Sequence, residues 1–304
     1  MTISNSRFSF FFLLIIFFAG IQQANSQVLP VDTVLNKKRL YLMTGAEAIA
    51  ISATYSGLYM LWYKDYSLGR FHTFNDNSEW LQMDKVGHAT ASYFVGKLGY
   101  DLMRGVGLDK RNSLIYGGGI GLFYLTGVEI MDGFSNGWGF SYGDMIANTA
   151  GAALFIGQQW AFDKQIVSMK FSYSPSLYAP YRPDLLGDNS IQRALKDYNG
   201  QTYWLSVNLK SLMPDQKILP DWLNLAFGYG ANGMLGGFSN PTGSEYPQIE
   251  RYRQFYISPD IDWTRVPVKS KYLKFALEVL SFIKMPAPAL ELGNGKVRLR
   301  AIHF

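Results

Sequence analysis

Polar residues recur at helical spacing within the otherwise apolar and glycine-rich residues 84–157. Asp84 and His88 are four residues apart, so they share one face of a helix. Two later pairs are spaced three and four residues apart: Glu129 with Asp132, and Asp144 with Asn148. A carboxylate on an apolar helix is costly unless it is paired, hydrogen-bonded or solvated. We therefore expect these polar faces to meet inside a helical bundle.

Seven residues form the expected cluster: Asp84, Lys85, His88, Glu129, Asp132, Asp144 and Asn148. Three interpretations stand. The cluster is a structural network that fixes helix register, or it binds a metal ion or a charged headgroup. In the third interpretation, His88 is a general base oriented by Asp84 or Glu129, with Asp144 completing the site.

Ser141 is the candidate nucleophile for such a reaction. It also lies three residues before Asp144 at a predicted helix start, where an N-cap role is the simpler interpretation. One histidine with scattered carboxylates is a weak metal motif beside His-x-x-x-His or paired cysteines. The sequence therefore leaves the metal unknown, assigns no cofactor, and leaves open whether the protein is an enzyme.

The order of these motifs resembles the YfiM-type predicted periplasmic proteins of unknown function, notably their long Bacteroidetes-style members. The matching residues are Asp84, Lys85, His88, Glu129, Asp132, Gly137, Trp138, Ser141, Asp144 and Gly151. A more distant similarity is to VanZ-like membrane proteins. The resemblance implies an exported protein and no particular reaction. Many YfiM-type proteins are predicted lipoproteins, whereas this sequence has no cysteine to carry a lipid.

Composition limits the remaining classes of function. The formal net charge is +5, with no basic run dense enough to indicate nucleic-acid binding. The absence of cysteine excludes disulfides and thiolate metal sites. The sequence contains 7 Trp, 20 Tyr and 21 Phe, a usage that suits membrane interfaces and β-sheet surfaces.

Residues 1–26 have the pattern of a signal peptide. Arg7 supplies the positive charge, residues 8–20 form an apolar run, and Ala24-Asn25-Ser26 is a small-x-small cleavage box. An uncleaved anchor is the alternative. We therefore expect an exported, membrane-associated protein of the cell envelope, located either at the outer membrane or in the periplasm.

The rest of the chain predicts an α+β fold with two domains. Residues 27–163 carry four predicted helices, at about 40–63, 80–103, 113–131 and 142–162. Small residues on the second helix, including Gly96 and Gly99, predict close packing between helices. Four glycines weaken the third helix in water, by about 1 kcal/mol each.

Residues 164–304 predict a β-rich half, either a partial barrel or an antiparallel sheet. Strands are expected at 167–173, 203–209, 222–229 and 254–263, the last interrupted by Pro259. Residues 273–283 predict a fifth strand, with a helix as the alternative. A hairpin is expected around Gly293-Asn294-Gly295, although Arg298 and Arg300 are expected to break the alternation of its second strand.

The leading hypothesis is a non-enzymatic envelope protein whose cluster organises the bundle or binds a lipid or glycan headgroup. Lys85, Asp132, Ser141 and Asn148 would then be binding residues, with a membrane lipid or another envelope component as the partner. The alternative is a hydrolase or transferase that modifies an envelope lipid or glycan. It would use His88 with Asp84, Glu129 and Asp144.

Overall fold

The computed structural model describes residues 34–64 and 66–304. The predicted signal peptide lies outside the described residues. The chain divides into two compact units, which we call the helical unit and the sheet unit. The helical unit comprises the chain up to Asn75, Ala91–Ala161 and Lys269–Phe275. The sheet unit comprises Asp76–Thr90, Phe162–Val268 and Ala276–Phe304.

Four long helices confirm the prediction for the first half of the chain. They are α1 (Lys37–Leu58), α2 (Met83–Gly105), α3 (Ile120–Phe134) and α4 (Tyr142–Phe162). A π-helical turn at Tyr59–Tyr63 extends α1. A short helix at Lys110–Asn112 and a π-helical turn at Ser113–Gly118 precede α3.

Glycine allows two backbone segments of the helical unit to approach closely. A Cβ atom on Gly99 would lie 2.5 Å from the carbonyl oxygen of Gly117, and one on Gly121 would lie 2.1 Å from that of Ser92. The first contact joins α2 to the π-helical turn before α3, and the second joins α2 to the first turn of α3. This confirms the predicted packing face and explains why residues 117–121 retain glycines that weaken an isolated helix.

The sheet unit contains a six-stranded antiparallel sheet. Its strands are β1 (Val167–Tyr173), β2 (Gln201–Asn208), β3 (Leu223–Asn232), β4 (Tyr252–Ile261), β5 (Ala287–Gly293) and β6 (Lys296–His303). Neighbours in the sheet follow the chain order from β1 to β6. The predicted hairpin joins β5 to β6, and positive φ angles at Asn294 and Gly295 (50° and 65°) fit a type I′ turn.

Two expectations for individual strands are wrong. Residues 273–283 form helix α5 (Lys271–Val279) and a 3₁₀ turn at Leu280–Phe282, because Leu273, Leu277 and Leu280 recur at helical spacing. Pro259 does not interrupt β4. The β4–β5 ladder covers Gln254 to Ile257, so Pro259, which has no N–H, lies beyond it.

The arginines of β6 do not break its alternation. Arg298 and Arg300 both bind the carboxylate of Glu291 on β5, at 3.1 and 2.5 Å. Leu299 points the other way and is exposed. The contrary expectation is wrong because the partner carboxylate lies on the same face of the neighbouring strand.

The sheet is strongly curved but open. Lys170 on β1 contacts Asp260 on β4 at 2.7 Å, and Thr202 on β2 lies 3.4 Å from His303 on β6. Contacts between strands so far apart require a concave face. Within the described residues β1 and β6 do not pair, so the sheet is not closed into a barrel.

One helical stretch among the described residues, Lys110–Phe134, is long and apolar enough to cross a membrane. This is a statement about length and composition alone. In its apolar window, 33% of the residues are buried.

Candidate functional site

The segment that leads into α2 has a strained backbone. Trp80, Leu81 and Gln82 have positive φ angles of 47°, 51° and 65°. Each such residue costs on the order of 1–3 kcal/mol, and backbone strain of this kind clusters at functional sites. The sheet unit holds the turn in place. The Trp80 amide donates to the carbonyl of Gly237 at 2.8 Å, and the Tyr229 hydroxyl donates to the carbonyl of Leu81.

Asp84 follows this turn directly and is the centre of a polar cluster. Its Oδ1 accepts a hydrogen bond from the Tyr198 hydroxyl at 2.6 Å, and its Oδ2 accepts one from Lys85 Nζ at 3.2 Å. His88 Nε2 lies 3.9 Å from Oδ1. Burial raises the pKa of the Asp84 carboxyl, but His88, Lys85 and Tyr198 outweigh burial and hold that pKa below its usual value. Asp84 is therefore ionised at neutral pH.

A second carboxylate adds negative charge to this group. Asp76 Oδ1 lies 2.7 Å from Lys85 Nζ, so Lys85 contacts both Asp76 and Asp84. We call Asp76, Asp84, Lys85, His88 and Tyr198 the Asp84 cluster. The side chains of its four ionisable members are 13–24% exposed. The cluster therefore places two carboxylates and one imidazole around one ammonium group, and carboxylate and imidazole are groups that bind divalent cations.

Gly87 has a steric role in the Asp-Lys-x-x-His motif. A Cβ atom at this position would lie 2.7 Å from the hydroxyl oxygen of Tyr203 on β2. The glycine therefore allows the first turns of α2 to approach that strand.

In the helical unit, Glu129 and Ser141 position the first turn of α4. Glu129 Oε2 accepts the backbone N–H of Ser141 at 3.1 Å, and Ser141 Oγ accepts the backbone N–H of Asp144 at 3.1 Å. Glu129, Ser141, Asp144 and Asn148 are all buried. The bond to Asp144 is that of an N-cap residue, so the simpler interpretation of Ser141 is confirmed. Glu129 contacts the backbone that leads into α4.

Two further side chains of the helical unit, those of Asp132 and His72, have hydrogen-bond partners there. Asp132 Oδ1 accepts a hydrogen bond from the Tyr63 hydroxyl at 2.7 Å. Burial raises the pKa of Tyr63, and the nearby charge of Asp132 raises it further. His72 Nε2 lies 2.6 Å from the carbonyl oxygen of Trp138, which fixes its loop.

Two of the predicted residues, Asp84 and His88, each offer one ligand atom on the same face of α2, and these atoms lie 3.9 Å apart. Two ligands bound to one ion at about 2.0–2.2 Å are separated by at most about 4.4 Å. The two side chains can therefore bind a common ion. Asp144 belongs to the helical unit, where it lies in the first turn of α4.

Sequence reasoning missed two members of the cluster. Asp76 lies in the polar loop before α2, and Tyr198 lies 114 residues beyond Asp84. The run Asn75-Asp76-Asn77 could have drawn attention to Asp76 as a polar segment near the motif. No local pattern marks Tyr198, because its role depends on the folding of the sheet unit.

Residues 72–156 match the protein family described as "Predicted periplasmic lipoprotein (DUF2279)". This match covers the Asp84–Asp144 motifs and supports an exported protein of the cell envelope whose biochemistry is unknown. The comparisons with curated proteins and with solved structures gave no match. Within these 304 residues no cysteine is present to carry the lipid named in the family's description.

Proposed function

We propose that this envelope protein binds a divalent metal ion through Asp84 and His88. The proposal depends on one observation, the distance of 3.9 Å between Asp84 Oδ1 and His88 Nε2. An imidazole with a carboxylate suits Zn²⁺, Mn²⁺ or Fe²⁺, whereas soft ions such as Cu⁺ prefer thiolate or thioether ligands.

The surroundings of the two ligands support this chemistry. Asp84 is held in its ionised form, which is the form that binds a cation. Tyr198 donates to the Asp84 carboxylate and thereby fixes its orientation, as outer-shell partners of metal ligands do.

A metal ion at this position would supply a Lewis acid that attracts a phosphate group. Lys85 lies beside it and carries a positive charge of its own. The phosphate of a lipid or glycan headgroup is therefore the ligand class that we propose for the loaded protein. The same metal site would support either binding or hydrolysis of this phosphate group. Metal binding is therefore the property to test first.

The test is a titration of the purified full-length chain with Zn²⁺ and with Mn²⁺, followed by calorimetry and by metal analysis after dialysis. We expect one equivalent of tightly bound ion in the wild type. His88→Ala and Asp84→Asn should each weaken binding by about 10–100-fold or more, because each removes a ligand.

His72→Ala is the matched control, because it removes a histidine of the helical unit that contacts the Trp138 carbonyl instead. It should bind the ion as the wild type does. A wild-type protein that binds no ion, or a His72→Ala variant that loses the ion equally, would contradict the proposal. The cluster would then be a structural network of ion pairs.

A further inference from the structure

The convex face of the curved sheet is apolar and exposed. Seven large side chains at its centre are 43–79% exposed: Leu205, Phe227, Phe255, Ile257, Leu290, Leu292 and Leu299. They are neighbours across the ladders, since Phe227 pairs with Ile257, Ile257 with Leu290, and Leu290 with Leu299. Together they form one continuous patch, which we call the convex patch.

The concave face of the same strands is buried and combines polar with aromatic side chains. It carries Lys170, Ser206, Asn224, Asp260 and Glu291, each at most 3% exposed, beside a small cluster that includes Trp204 and Tyr256. Asp260 accepts a hydrogen bond from Ser206 at 2.6 Å and pairs with Lys170 at 2.7 Å. The ionised groups of the sheet therefore lie inside the fold, while the seven large apolar side chains of the convex patch point outward.

This arrangement is the reverse of that found in a water-soluble antiparallel sheet. A water-soluble antiparallel sheet buries its apolar face and exposes its polar face. Strands with polar side chains inside and apolar side chains outside are typical of sheets that face hydrocarbon. Soluble monomers rarely expose apolar patches of this extent.

Lipid fits the convex patch better than a second copy of the chain. The helical unit, taken by itself, also exposes large apolar side chains, among them Phe123, Ile146 and Trp160. Lipid can cover the apolar residues of each unit by itself, whereas a sheet-to-sheet contact covers only those of the sheet. Exposed Arg253 and Lys296 lie at one end of the patch, where they complement anionic lipid headgroups.

We infer that the convex patch contacts the hydrocarbon of an anionic membrane. This inference is independent of the metal proposal, because none of the patch residues belongs to the Asp84 cluster. It goes beyond an envelope location by naming the surface that meets the lipid.

The absence of cysteine makes a direct test possible. The variants Ile257→Cys and Leu290→Cys each place one thiol in the patch, where an environment-sensitive fluorophore can be attached. The labelled full-length protein is reconstituted into vesicles of phosphatidylethanolamine and phosphatidylglycerol. Ile218→Cys, in the exposed loop between β2 and β3, is the control.

We expect acyl-chain spin labels to quench the fluorophore at both patch positions, with little quenching by aqueous iodide. The control should show the opposite. Iodide quenching of all three labels would overturn the inference, because the patch would then lie in water. Protection of the patch labels from both quenchers would also overturn it, because protein rather than lipid would cover the surface.

Discussion

The Asp84 cluster and the concave face of the sheet both combine carboxylates with lysines, but they differ in access. Around Asp260, the side chains of Lys170, Lys284 and Asp260 are at most 2% exposed. Lys284 Nζ donates to Ser258 Oγ and to the carbonyls of Pro259 and Met285, at 2.8–3.1 Å. In the Asp84 cluster, the ionisable side chains keep 13–24% of their surface exposed.

This difference supports our proposal that the Asp84 cluster is the binding site. The Asp260 network is buried, and its lysines make their hydrogen bonds to the protein itself, which stabilises the curved sheet. The Asp84 cluster follows three residues with strained backbone angles and is partly exposed to solvent. Backbone strain of this kind clusters at functional sites.

The largest expected effect comes from breaking the closed network. Asp260→Asn would leave two buried lysines without their carboxylate, and removing one partner of a buried ion pair costs about 3–5 kcal/mol. We expect the free energy of unfolding in urea to fall by that amount. Asp215→Asn, on an exposed loop, should change it by less than about 0.5 kcal/mol. Equal effects of the two substitutions would contradict a structural role for Asp260.

Tyr198→Phe tests the hydrogen bond to the Asp84 carboxylate. A hydrogen bond to a charged group contributes about 1.5–3 kcal/mol, against about 0.5–1.5 kcal/mol for a neutral pair. Tyr178→Phe is the matched control, because its hydroxyl donates to the neutral amide oxygen of Asn232 at 2.7 Å. We expect Tyr198→Phe to lower the free energy of unfolding more than Tyr178→Phe. The reverse order would show that Asp84 is not ionised in the folded protein.

Lys284 predicts a pH dependence of stability. Burial lowers its pKa to about 8, and repulsion from Lys170 adds to this, while Asp260 opposes it. Between pH 8 and about 10, the unfolded chain holds this proton and the folded chain has lost it, so stability rises with pH. The gain is on the order of 1 kcal/mol. The measurement is the slope of the free energy of unfolding against pH, from pH 8 to 9.5, in the wild type and in Lys284→Met. A steeper slope in the wild type is the contribution of Lys284, and equal slopes would contradict it.

Glu129→Gln should have the smallest effect. The amide oxygen of glutamine can still accept the backbone N–H of Ser141, so we expect stability and metal affinity close to those of the wild type. Glu129→Ala removes the acceptor and should lower the free energy of unfolding by about 1–3 kcal/mol, since it leaves a buried N–H unpaired. A Glu129→Gln variant as unstable as Glu129→Ala would contradict this role.

Local patterns predicted much of the fold. Apolar periodicity gave four helices close to their observed bounds, and alternation predicted β1 at 167–173 and the β5–β6 hairpin. The structure of residues 273–283 was harder to predict, because a short apolar run is compatible with both the helical and the strand period. The role of Arg298 and Arg300 was also misread, since their partner Glu291 lies on another strand.

The sequence predicted the site residues only where helical spacing places them on one face of a helix. Spacing alone predicted that Asp84 and His88 share a face. It did not predict Tyr198 or the strained residues 80–82, because both depend on contacts with distant parts of the chain. Asp132 was also expected in the cluster, which stays a prediction; within the helical unit it accepts a hydrogen bond from Tyr63.

The most direct test of the contrast between the two polar groups is the shift in thermal unfolding when Zn²⁺ or Mn²⁺ is added. An ion that binds only the folded state stabilises it by about 2.7 kcal/mol at a free concentration of 100 Kd. We predict this shift in the wild type and in Asp260→Asn, which is less stable but keeps the Asp84 cluster, and no shift in His88→Ala. A shift that persists in His88→Ala, or one that disappears in Asp260→Asn alone, would contradict the assignment of the Asp84 cluster as the binding site.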